Sequence, residues 1–250
     1  MSIIDSILNS SLFAKHFTGA VVLAAGVGSR FSSDGTKQNF PICGIPCVVR
    51  TLMAFEDADI IGEVVLVGRE EELGTLREYV ENYGLKKVTK IVCGGATRDE
   101  SARRGYYELD KRAKYVAVHD GARCLVTPEI IEKTVRAAFR YGAAAAAEKA
   151  VDTVKVADDG GFISSTVDRD RVWLVKTPQV FRSAMYLTAT ECAKKDGVKV
   201  TDDCMMAERL GFSVKLVDCG HENIKLTDRS DADLAEHIIK KRLAKGEETE

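Results

Sequence analysis

From Gly19 onward the chain alternates between two hydrophobic rhythms. Short apolar, β-branched runs at residues 20–24, 63–67, 89–93 and 115–119 have the length and composition of buried strands. Helical patterns mark residues 47–55, 70–83, 98–109 and 128–141. Strand and helix in turn predict an α/β domain with a mainly parallel sheet, since parallel neighbours need a crossover long enough to hold a helix. Two helix starts carry their own signal. Thr97 with Glu100 has the spacing of a capping box, and Thr127 precedes Pro128, whose missing N–H is harmless at the first helical position. The alanines at 143–147 favour helix by propensity, but Gly142 before them reads as a helix stop, and a strand is expected there.

Past the alanines the pattern changes. Two short alternating runs, 153–157 and 162–167, flank Asp158-Asp159-Gly160-Gly161 and read as a β-hairpin. An isolated hairpin is marginal in water, so this one needs support from its own domain or from a second subunit, and the latter makes a homodimer. The C-terminal part returns to α/β character, with a strand at 213–217 and a closing helix at 231–244 opened by Ser230 and Asp233. At the other end, Ile3, Ile4, Ile7, Leu8, Leu12 and Phe13 have the spacing of an amphipathic helix, while Asp5 and the interrupting polar residues do not fit a signal peptide. The expected organisation is a helical extension at 1–18, one α/β domain at 19–245 with an arm at 151–175, and a flexible tail at 246–250.

Composition narrows the choice of partners. The 250 residues are 45% hydrophobic and 30% charged, with a formal net charge of -2, so no broad basic surface exists to attract nucleic acid or an anionic membrane. No apolar run reaches the roughly 18 residues of a spanning helix. The seven cysteines lack disulfide-framework or C-x-x-C spacing, which predicts free thiols and a cytoplasmic location. His16, His119, His221 and His237 show no zinc-site spacing, so no metal-ligating residues are expected in the protein itself.

Candidate chemistry begins right after the first strand, at Ala24-Ala25-Gly26-Val27-Gly28-Ser29-Arg30-Phe31, with Lys37 beyond. Small residues at a strand's C-terminal end let backbone N–H groups approach phosphate oxygens, and Arg30 and Lys37 supply charge. The bland alternative is a tight turn carrying two solvated cations. Phe31 replaces the third glycine of a dinucleotide fingerprint and no G-K-[ST] follows, which weakens dehydrogenase and ATPase readings.

This loop, with Lys37-Gln38, resembles that of the 2-C-methyl-D-erythritol 4-phosphate cytidylyltransferases. Similar blocks follow in the family's order from Ala20 to about Ala244: Gly94-Gly95 with Arg98 and Ser101; His119-Asp120-Gly121-Ala122-Arg123; Asp152-Thr153-Val154-Lys155; Thr166-Val167-Asp168-Arg169 with Trp173; Thr177-Pro178-Gln179; Thr201-Asp202-Asp203; and Asn223-Ile224-Lys225-Leu226-Thr227. The resemblance implies a three-layer α/β/α Rossmann-like nucleotidyltransferase fold with a mainly parallel sheet and a protruding β-hairpin arm for dimerisation. It implies CTP contacts from Ala24, Ala25, Gly26, Gly28, Gly95, Ser101 and Gly121, and catalytic roles for Arg30, Lys37 and Lys225. Acceptor contacts fall to Asp120, Arg123, Thr153, Arg169 and Thr177, those of Thr153 and Arg169 reaching across a dimer.

The implied reaction is attack of an acceptor phosphate oxygen on the α-phosphorus of CTP, with Mg2+ held mainly by the CTP phosphates. A phosphate monoester is already largely ionised at neutral pH, with a second pKa near about 6, so no general base is needed. Two positions depart from the family: Thr36 stands where proline often precedes the lysine, and Cys124 where proline often follows the arginine. The rivals are a ribitol 5-phosphate cytidylyltransferase and a catalytically silent homologue. The stretch from Thr166 to Trp173 and the D-T-V-K block favour methylerythritol phosphate as acceptor.

Overall fold

The computed structural model describes residues 16–26 and 36–246. The expected N-terminal helix, Gly28, Arg30 and most of the tail lie outside these residues. Eleven strands are present among the described residues. β1 (Thr18–Leu23), β4 (Ile61–Gly68), β5 (Val88–Cys93), β6 (Tyr115–Asp120), β7 (Ala143–Lys149), β10 (Trp173–Arg182) and β11 (Lys215–Asp218) form one sheet in the order β11-β7-β10-β6-β1-β4-β5. β1 runs parallel to both β4 and β6, β4 to β5, and β7 to β11; β10 alone is antiparallel to its neighbours. β2 (Pro41–Ile42) with β3 (Ile45–Pro46), and β8 (Lys155–Ala157) with β9 (Ile163–Thr166), make two small hairpins outside it.

Helices cover both faces. α1 (Cys47–Asp57), α2 (Leu73–Asn82) and α4 (Pro128–Tyr141) bury Leu52, Phe55, Leu76, Ile131 and Val135 with the strand residues Ala20, Val22, Leu66 and Ala117. On the opposite face α3 (Arg98–Glu108), α5 (Ser183–Lys195) and α6 (Asp203–Arg209) cover Val21, Val65, Val67, Val116 and Val118. Odd and even residues of β1 thus serve opposite cores, and the strand is apolar throughout because both faces are covered. α7 (Arg229–Lys245) closes a third cluster with Ile42, Cys47, Cys124, Leu125 and Leu226. The three-layer arrangement agrees with the expected α/β/α fold.

The alanine run is a strand, fully buried from Ala143 to Ala147, and α4 ends at Gly142 with a φ of 91°, which a β-carbon would oppose. Thr127 caps α4 through a hydrogen bond from Ile130 N–H. Thr97 accepts from Glu100 N–H as the capping-box spacing predicts, but the Glu100 carboxylate reaches back to Ala96 N–H.

Several element boundaries need correction. The helix expected at 70–83 is a 3-10 turn at Glu70–Glu72 followed by α2. The closing helix starts earlier, because the box that forms is Asp228 with Asp231. β11 lies two residues beyond the expected start of the strand. β10, α5 and α6 were not expected from the periodicity at all. β10 escapes it because Pro178 argues against a central strand. Its pairing with β7 jumps from Val175–Ala147 to Gln179–Ala145, so Lys176, Thr177 and Pro178 bulge opposite a single residue.

Candidate active site

In an open α/β sheet, ligands collect at the carboxyl ends of strands where successive connections diverge. Here β1 lies between β4 and β6, and a cleft of about 280 Å3 opens beyond their C-terminal ends. Its walls include Ala25 and Gly26 after β1, Gly95 to Arg98 and Ser101 around the start of α3, and Asp120 at the end of β6. Lys37, Gln38 and Lys225, from distant parts of the chain, also line it. A larger groove near Tyr106, Tyr115 and Arg182 sits at the opposite end of β6.

Backbone geometry explains why small residues are required. Ala24 N–H donates to Val67 O, Gly94 N–H to Gly68 O at 2.8 Å and Gly121 N–H to Leu23 O at 2.8 Å, which ties the strand ends into one edge. A β-carbon on Gly121 would lie 2.9 Å from Leu23 O, and one on Gly94 would meet the Ala25 β-carbon at 2.6 Å. Ser101 is buried. Its hydroxyl accepts from Gly95 N–H at 3.0 Å and donates to Thr97 O, so it shapes the Gly95 turn.

Asp120 is the electrostatic centre. Arg98 Nε lies 3.2 Å from Asp120 Oδ1, Lys225 Nζ 2.8 Å from Oδ2, and Arg123 Nε 3.7 Å from Oδ2. Burial would raise the carboxyl's pKa, but the charges of Arg98, Lys225 and Arg123 outweigh it and hold the group well below the usual carboxylate range. Arg98 also reaches Asp203 Oδ2 at 2.7 Å, and Tyr186 OH donates to Asp203 Oδ1. Burial works against the Arg98 charge, yet Asp203 and Asp120 hold its pKa above the ordinary arginine value. Burial lowers the pKa of Arg123, whose NH1 donates to Asn223 O at 3.1 Å.

The sequence had singled out Arg98 and Asp203 only as parts of motifs. A signal existed: an arginine at the first position of α3 sits against the positive end of the helix dipole.

Of the residues singled out in the sequence, Lys37, Lys225, Ala25, Gly26, Gly95, Ser101 and Asp120 line this one cleft. Gly121 and Thr177 do not line it. Gly121 O accepts from Thr51 Oγ1, and buried Thr177 Oγ1 accepts from Asp120 N–H and bonds His119 Nδ1 at 3.1 Å. These two residues set the position of Asp120 from behind. His119 is fully buried, and desolvation pulls its pKa down to about 3, so it stays a neutral structural ring. Thr153 and Arg169 are on the arm; Arg169 is exposed and donates from NH1 to Val151 O. Among the described residues no cluster of three or more His, Cys, Asp or Glu could hold a metal ion.

An open sheet whose glycine-turned edge meets two lysines from distant segments is suited to hold a polyanion, and comparison gives the class, an α/β nucleotidyltransferase. The particular family follows from comparison: residues 18–241 match the 2-C-methyl-D-erythritol 4-phosphate cytidylyltransferases, and the chain belongs to that family. It is 40% identical over 223 residues to the enzyme of that name from Caldanaerobacter subterraneus, covering 89% of this chain and 98% of the relative. Against the same-named protein of Geobacillus thermodenitrificans the identity is 39% over 225 residues, covering 90% and 98%. The crystal structure of 4-diphosphocytidyl-2C-methyl-D-erythritol synthase from Anaerococcus prevotii superposes with a TM-score of 0.83 at 29% identity, over 92% of this chain and 99% of that one. The Thermus thermophilus cytidylyltransferase gives 0.72 at 28%, over 88% and 98%.

Proposed function

We propose that this chain transfers CMP from CTP to 2-C-methyl-D-erythritol 4-phosphate, releasing pyrophosphate and forming 4-CDP-2-C-methyl-D-erythritol for non-mevalonate isoprenoid synthesis. The observation that carries this reading is the shared cleft of Lys37, Lys225 and the Ala25-Gly26 and Gly95 turns, joined to family membership. The triphosphate lies along the glycine edge, with Lys37 and Lys225 neutralising charge that grows on the α-phosphate and the leaving pyrophosphate. Arg30 adds a third cation from the loop. The backbone of Ala25, Gly26 and Gly95 lines the space for the nucleotide, Ala24 ties that edge to β4 through Val67 O, and Ser101 fixes the Gly95 turn.

Asp120 keeps Lys225 and Arg98 aimed while Arg123 and the arm residues Arg169 and Thr153 receive the acceptor phosphate. The acceptor oxygen is already anionic, so the cleft acts by aligning two anions that otherwise repel. Both oxygens of Asp120, the carboxylate lining this cleft, are engaged by cations. That donor set suits Mg2+ carried by phosphate oxygens and its own water better than a dedicated protein site. The ion, when bound, supplies charge neutralisation on the triphosphate.

The arm supports a homodimer. Val151, Val156, Phe162 and Ile163 are large apolar side chains exposed on it, more than a two-stranded hairpin leaves bare without a partner surface. No described helix is long and apolar enough to cross a membrane. That, with seven free cysteines, supports a cytoplasmic enzyme. The decisive assay is pyrophosphate release from CTP with each polyol phosphate. Turnover with methylerythritol phosphate is expected, and faster turnover with ribitol 5-phosphate would overturn the acceptor assignment.

A further inference from the structure

The turn that carries Lys37 is gripped by a carboxylate that no sequence motif marks. Glu72 ends the 3-10 turn before α2, and its side chain is buried although charged. Its Oε1 accepts from Thr36 Oγ1 at 2.5 Å and from Asn39 Nδ2 at 2.9 Å. These two donors bracket Lys37 and Gln38, and the bracket closes through Asn39 N–H to Thr36 O at 3.1 Å. One carboxylate oxygen therefore pins both ends of a four-residue turn, through hydrogen bonds strengthened by its charge.

Other contacts hold the middle and the exit of this segment. Gln38 Nε2 donates to Gly26 O at 3.1 Å, joining the turn to the glycine edge. Val48 N–H donates to Gln38 O and Cys47 N–H to Phe40 O, fixing its exit onto α1. Among the described residues, Thr36 at the start of the turn is held through its hydroxyl by Glu72.

We propose that Glu72 is a positioning residue for Lys37, acting through the Thr36–Glu72–Asn39 clasp. This rests on the reading of Lys37 as a contact for the CTP phosphates. Losing the clasp leaves the lysine intact but lets its direction wander, and misplacement of a catalytic group by about 1 Å is enough to lower rates by about 10².

The test uses substitutions on both sides of the clasp. Thr36→Val removes the hydroxyl alone, and Glu72→Ala removes the shared acceptor; each is expected to lower kcat with CTP by about ten- to a hundredfold, with KM for the polyol phosphate unchanged. Thr36→Ser keeps the hydroxyl that donates to Glu72 and should stay within about twofold of the parent. Because Glu72 acts through Lys37, Glu72→Ala should have little further effect in a Lys37→Ala background. Thermal denaturation of every variant checks that the fold survives, and Thr36→Val carries the test if Glu72→Ala does not fold. Parent-like kcat for Thr36→Val, or equal losses for Thr36→Val and Thr36→Ser, overturns the proposal. So does a Glu72→Ala loss of the same factor with and without Lys37. If Lys37→Ala itself keeps parent-like turnover, the underlying role of Lys37 falls, which separates that failure from failure of the clasp alone.

Discussion

Asp120 illustrates how a buried charge is kept at the scale of single residues. Alone, its carboxylate would be driven toward the neutral form, but three cations at 2.8 to 3.7 Å reverse that preference. It also holds Lys225, which lines the same cleft as Lys37. Replacing either lysine with alanine is expected to lower turnover by about 10² or more, the scale of losing one charge-stabilising group from a preorganised site, as measured by pyrophosphate release at saturating CTP. Behind the carboxylate, His119 sets an acid limit on stability. The unfolded ring takes up a proton near pH 6.5, whereas the folded ring waits until about 3. Between those values the unfolded chain binds more protons, so stability falls as pH is lowered through this window, by up to a few kcal/mol. Asp120 adds its own loss lower down, below its ordinary value of 3.8. His119→Gln should flatten the dependence of the urea midpoint on pH between about 4 and 6; an unchanged slope would assign the acid sensitivity to other groups.

Among elements, α3 has the most exacting placement, because its first turns deliver Arg98 and Ser101 to the cleft. It lies close against the sheet through Gly105, where an added β-carbon would stand 2.4 Å from Val21 Cγ1 and 2.7 Å from Val67 Cγ2. Two effects compete in Gly105→Ala. Alanine favours the helix by about 1 kcal/mol, while overpacking against the sheet costs typically 1–3 kcal/mol, roughly. The steric effect should win, giving a lower urea midpoint and, as the helix is displaced, weaker CTP binding in an equilibrium titration. A more stable variant would show that α3 can shift without penalty.

For the whole molecule, the cleft gathers beyond the carboxyl ends of β1 and β6, while the arm carries Arg169 and Thr153 exposed. An arm with Phe162 75% and Ile163 68% exposed is suited to lie on a second subunit. If its arginine serves the partner's cleft, inactive Arg169→Ala and Lys37→Ala chains should recover activity when mixed, since a hybrid dimer holds one cleft with both residues intact. Random mixing sets the ceiling at about one quarter of the parent's activity per site, the share expected when hybrids form statistically. Hybrids that form, as shown by differential tagging, yet remain inactive would confine each site to one chain.

Periodicity and local chemistry were enough to mark the parallel strands, most helices, the capping of α3 and α4, and the glycine loop with Lys37 beyond it, while Lys225 stood out only through the resemblance of its block. Such features depend on residues a few positions apart, or on recurring blocks, and both are written along the chain. Tertiary structure alone decided the rest. β10 reverses direction and buries Lys176, Thr177 and Gln179 because Glu148, His119 and Asp202 are there to bond them. Arg98 becomes part of the cleft only once Asp120 and Asp203 meet it, and Glu72 grips the Lys37 turn across more than thirty intervening residues. A buried charge or hydrogen bond takes its meaning from whatever the fold sets beside it, and no local rhythm encodes that neighbour.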